Sequence, residues 1–137
     1  MTELRRFRRF STGAAMDTLA KRFKLPCEPG MQDWQWEVAD ASRIGEFLAA
    51  YESGDLTDDE RFTLMEIVIQ SFADLPEPLV SDIRWSRALT LLSENCYLHL
   101  YSIWYWSVLD NDLGHEDLWR VTPDLRVVFM THCYRFM

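Results

Sequence analysis

From Leu79 to Leu109 the chain runs without a glycine or a proline, and this uninterrupted stretch limits the fold more than any other feature. A single helix over 82–109 would be about 42 Å long at about 1.5 Å per residue. A compact body of this chain length has a radius of gyration of only about 14 Å, hence a diameter of roughly 37 Å. One helix of that length does not fit, so the reading breaks it at Ser93-Glu94-Asn95. The first half carries Ile83, Trp85, Leu89 and Leu92, and the second is apolar on nearly every side, as a central helix is. The aromatic and branched residues from Tyr97 to Leu109 also suit a strand. The fold class expected is all-α, about six short helices around one aromatic-rich core. The alternative is α+β with a short aromatic strand or hairpin.

The other segments read locally. Residues 14–24 form a short amphipathic helix ended by Leu25-Pro26 and the Pro29-Gly30 turn. Trp34 and Trp36 alternate with polar residues, which predicts a short strand or an extended segment pinning two indoles. Asp40 suits the N-cap of a helix with Ile44, Phe47, Leu48 and Tyr51 on one stripe and Gly54 at its left-handed end. Thr57-Asp58-Asp59-Glu60 spells a capping box, with acids at the positive end of the helix dipole. Behind it Phe62, Met65, Ile69 and Phe72 mark a buried helix that stops before Leu75-Pro76-Glu77-Pro78. Thr122-Pro123 reads as an N-cap followed by proline at the first helical position, with Leu125, Val128 and Phe129 facing inward.

Charge is unevenly spread. The net charge is −8, yet residues 1–24 hold seven basic and two acidic side chains, whereas 25–137 hold seven and twenty. So acidic a body repels nucleic-acid phosphate and attracts basic protein surfaces. Residues 1–15 read as a basic, poorly ordered extension with Met16 as a second possible start, and 16–137 as one helical domain. The amino-terminal segment lacks the apolar run of a signal peptide. No stretch reaches the ~18 apolar residues of a membrane span. Three widely spaced cysteines, Cys27, Cys96 and Cys133, fit reduced thiols in a cytoplasm better than a disulfide scaffold.

Phosphate-cradling glycine loops, nucleophile elbows and metalloprotease helices are absent from the sequence. The Asp110–Asp117 loop fails as an EF-hand, since Gly114 and Val121 fall where a glycine one residue later and a glutamate are needed. Asp110, Asp112, His115, Glu116 and Asp117 together form a conceivable acid/base cluster, against which stands a plain hydrated loop. Cys96, His99, His132 and Cys133 suggest a zinc quartet only weakly, because adjacent residues rarely share one metal. No metal and no cofactor are expected. Trp104 and Trp106 read either as the wall of an aromatic ligand pocket or as core.

LTDDERFTLMEIVIQSF at 56–72, LLSENCYLHLYSIWYWS at 91–107 and LWRVTPDLR at 118–126 resemble a group of small, acidic, functionally uncharacterised bacterial proteins. The resemblance implies a bacterial cytosolic setting and transfers no catalytic residue. In general character such proteins are similar to immunity proteins that neutralise toxins. The expected function is that of an acidic protein-binding domain, not an enzyme, of the kind that covers a basic toxin or enzyme. Its partner-binding residues are expected to be Asp55, Asp58, Asp59 and Glu60 in one patch and Asp110, Asp112, Glu116 and Asp117 in another. The alternatives are a cytosolic regulatory or adaptor module, and an enzyme using the His115 loop.

Overall fold

Thr57 and Glu60 exchange both bonds of a capping box: the Glu60 amide donates to Thr57 Oγ1 at 3.2 Å, and the Thr57 amide to Glu60 Oε1 at 3.0 Å. From that start α4 runs over Asp58–Ala73, and residues 62–69 are buried without exception, which makes it a central helix. The computed structural model describes residues 7–109 and 118–136. These residues fold as an all-α protein, with seven α-helices and no strand among them. Helix α1 spans Gly13–Phe23, α2 Trp34–Glu37, α3 Ile44–Glu52, α5 Ile83–Glu94, α6 Leu100–Ser107 and α7 Thr122–Val128. The chain divides into two compact units, one formed by Phe10–Pro76 and the other by the residues before and after it, so that the body expected over 16–137 is described unit by unit. The division falls inside Leu75-Pro76-Glu77-Pro78, where proline ends helical continuity.

In the 10–76 unit, α1, α2 and α3 each pack on α4. Thr12 Oγ1 caps α1 by accepting from the Ala15 amide, so the expected boundary at Met16 falls inside a helix. Phe23 from α1 meets Phe47 from α3 edge to face, with centroids 5.1 Å apart. Arg43 ties these two helices together: it donates to the Phe23 carbonyl at 2.8 Å and grips both carboxylate oxygens of Glu46 at 2.8 Å. Asp40 caps the short 3-10 turn Ala41–Arg43 that opens α3, and Ile44, Phe47, Leu48 and Tyr51 are all buried.

The extended segment expected around Trp34 and Trp36 is instead the single helical turn α2. Its indoles are pinned by acceptors elsewhere in the unit, Trp34 Nε1 by the Pro26 carbonyl at 2.6 Å and Trp36 Nε1 by Glu66 at 3.3 Å. The Ser71 hydroxyl, also on α4, donates to the Ile67 carbonyl and accepts from the Asp40 amide, so this buried oxygen is used in both directions.

In the second unit the long stretch breaks where the length argument put it: α5 ends at Glu94, Asn95 caps it, and α6 begins at Leu100. The α6 segment is helix, which leaves the strand alternative unrealised among the described residues. Trp85, Ala88 and Leu92 line the buried face of α5, whereas Ile83 at its first turn stands 83% exposed. Thr122 does not cap α7. Val121 holds that position, and the Thr122 hydroxyl donates to the Trp106 carbonyl at 2.9 Å, because α6 leaves its last carbonyls open there. Arg126 completes the closure, bonding the Ser107 carbonyl at 2.6 Å and also the Val108 carbonyl. A cation thus sits at the negative end of α6. Trp85 Nε1 donates to Asp124 at 2.8 Å and links α5 to α7. Beyond Val128 the helix widens into a π-helical stretch, Phe129–Cys133, and tightens into a 3-10 turn, Tyr134–Phe136.

Candidate functional site

The acidic patch at 55–60 is exposed, but most of its carboxylates already have duties within the chain. Asp55 accepts from the Ser53 hydroxyl and from Arg22 at 3.0 Å, and these two donors hold its carboxyl below the usual range. Asp58 pairs with Arg61 one turn on. Glu60 is spent in the capping box, and Asp59 lies exposed beside it. The remaining residues expected to bind a partner, Asp110, Asp112, Glu116 and Asp117, lie with His115 outside the described residues.

The acidity of the 10–76 unit reaches well beyond that patch. This unit holds thirteen acidic and five basic side chains, whereas the rest of the chain holds nine of each. The whole net charge of −8 therefore resides on the 10–76 unit. Glu28, Asp33, Glu37, Glu52 and Asp74 are exposed on it in addition to Asp55, Asp58 and Asp59.

The four residues weighed as a zinc quartet are organised otherwise. Cys96 Sγ lies 3.9 Å from the His132 carbonyl and accepts from Arg135 at 3.6 Å, which sets a cation against the sulfur. Burial, reinforced by neighbouring Cys96, pushes the Cys133 thiol up to about 12. His99 is fully buried. No group of three or more His, Cys, Asp and Glu side chains is placed to hold a metal ion among the described residues. The three cysteines are unbridged.

The two tryptophans of α6 part company. Trp106 is core, 1% exposed, while Trp104 lines a cleft together with Tyr105, Val108, Leu109 and Trp119. Trp119 stacks on Tyr105 with centroids 5.7 Å apart and meets Trp106 at 4.6 Å. Val108, at φ 46° and ψ 57°, holds a left-handed conformation that a β-branched residue rarely adopts. The sequence pointed to Trp104. It gave no sign of Trp119, Val108 or Arg126, whose roles exist only once α7 closes the end of α6.

The chain matches no protein-family model, no curated protein and no solved structure. Among the described residues no helix is long and apolar enough to cross a membrane.

Proposed function

We propose that this protein is a cytosolic protein-binding module that acts by covering a basic surface on its partner, in the manner of a bacterial immunity protein, and not as an enzyme. The observation that carries the reading is the segregation of charge: thirteen acidic against five basic side chains on the 10–76 unit, in a chain otherwise balanced. A surface with so large an excess of one sign accelerates encounter with an oppositely charged partner and rejects like-charged ones. The three unbridged cysteines agree with a reducing compartment. The reading keeps Asp59 from the 55–60 patch and adds the exposed carboxylates Asp33 and Glu37 of the same unit.

The test is capture from a lysate of the source cells on immobilised protein, at low and at high salt. One basic protein should be retained at low salt and released as salt rises. Its association rate should fall in the combined Asp33→Asn, Glu37→Gln, Asp59→Asn variant, with the dissociation rate nearly unchanged. A partner held equally at both salt concentrations would overturn the reading.

A further inference from the structure

We infer that the cleft at the carboxyl end of α6 is a binding site for a small, uncharged, planar aromatic molecule. The inference rests on the second unit alone and is independent of the acidic surface. The cleft is open to solvent along one side and has a volume of about 230 Å³, below the ~300–1,000 Å³ of pockets that bury drug-sized ligands. That volume suits one or two fused rings. Its described walls are Trp104, Tyr105 and Trp119 with Val108 and Leu109, and none of these side chains is charged. Among the described residues an anion would surrender hydration there and find no charged partner, whereas a flat ring stacks on the aromatic faces and edges. A permanent cation, which those faces also attract, is the competitor the titration has to exclude.

The walls are braced in advance. Trp119 stacks on Tyr105 and meets Trp106 at a tilt, and Trp104 rests against Tyr101 with centroids 5.5 Å apart. A ligand entering such a site orders little that is not already ordered. The rim is held as firmly. Thr122 and Arg126 bind the carbonyls of Trp106, Ser107 and Val108, and they keep Val108 in its left-handed conformation. Backbone strain in a β-branched residue persists only where surrounding bonds enforce it, and such residues gather at ligand clamps. Packing alone does not account for the cleft, since Trp104, Tyr105 and Trp119 all remain part-exposed around it.

The deciding experiment is isothermal titration of the full chain with 2-naphthol and with decahydro-2-naphthol, which share a skeleton and differ in the aromatic faces. The aromatic compound should bind about tenfold more tightly. Trp104→Leu and Trp119→Leu should each remove that preference, Trp104→Phe should keep most of it, and Tyr134→Ala, an exposed ring that does not line the cleft, should leave it unchanged. Circular dichroism identifies any variant that fails to fold, in which case the wild-type ratio and Trp104→Phe decide. Equal affinity for the two compounds, no binding of either, or tighter binding of (2-naphthyl)trimethylammonium than of 2-naphthol would each overturn the inference.

Discussion

The two units of this protein divide the usual properties of a protein surface between them. The 10–76 unit carries the whole net charge and, among its large apolar side chains, leaves Phe10 alone mostly exposed. The other unit is balanced in charge and holds six of the seven large hydrophobic residues exposed among the described residues: Val80, Ile83, Tyr97, Val127, Met130 and Tyr134. It also holds the aromatic cleft. Recognition by the first unit would be long-ranged and weakened by salt, and recognition by the second short-ranged and nearly indifferent to it. A chain can therefore be acidic overall and still present a neutral, apolar region, which a whole-chain charge conceals.

The contrast can be broken most forcefully from within. Phe72 is fully buried on α4, and Phe72→Ala should cost about 3–5 kcal/mol in urea unfolding. A loss below about 1 kcal/mol would mean that α4 is not the centre of its unit. Arg126→Ala should destabilise the second unit by about 1.5–3 kcal/mol, since two carbonyls at the end of α6 lose a charged donor. Val108→Gly should act in the opposite sense and stabilise by about 0.5–1 kcal/mol, because glycine accepts the left-handed conformation. Finding both substitutions harmful would remove the strain from the account of the cleft. Thr57→Ala should cost about 1 kcal/mol through the lost cap.

Acid and alkali sharpen the comparison on a finer scale. Asp40 in the first unit is held below its ordinary value by the Ser42 hydroxyl and amide, and Asp82 in the second by the Arg84 guanidinium. Both carboxyls are lowered by folding, so their contribution is complete above the unfolded value of about 4 and is lost as pH falls through the folded one. Acid titration of stability should show both, and Asp82→Asn should remove only the second share. Cys133 has the reverse sign: its thiol, raised to about 12, contributes stability below the unfolded value of about 8.5 that is lost as pH climbs toward the folded one. Thiol labelling at pH 8 should therefore modify exposed Cys27 at once, and buried Cys96 and Cys133 only on unfolding. Equal labelling of all three would contradict the burial of the pair.

What was legible in the sequence was local. The capping box of Thr57 and Glu60, the cap of Asp40 and the break at Ser93-Glu94-Asn95 all rest on bonds or steric limits within a few residues, so spacing revealed them. The misreadings share the opposite cause. Trp36 finds its acceptor 30 residues away at Glu66, and Thr122 finds Trp106 16 residues back, so neither a strand pattern nor a cap rule anticipated where they bond. The acidic patch shows the same limit. Its charge was plain, but the pairing of Asp55 with Arg22, 33 residues apart, was not. The cleft was half visible, as Trp104, and its other wall is Trp119, brought there by tertiary packing.

The order in which the units are written along the chain gives them different histories on the ribosome. The 10–76 unit is continuous, so every residue it needs has been synthesised once Pro76 has emerged. The second unit draws on both ends: the ring of Phe7 meets Tyr97, and the last carbonyls of α6 are closed by Thr122 and Arg126. Chains emerge at about 5–20 residues per second. Thr122 and Arg126 follow Pro76 by about 46–50 residues, hence by several seconds at that rate, so the acidic unit has all its residues while the other still lacks the helix that closes the end of α6.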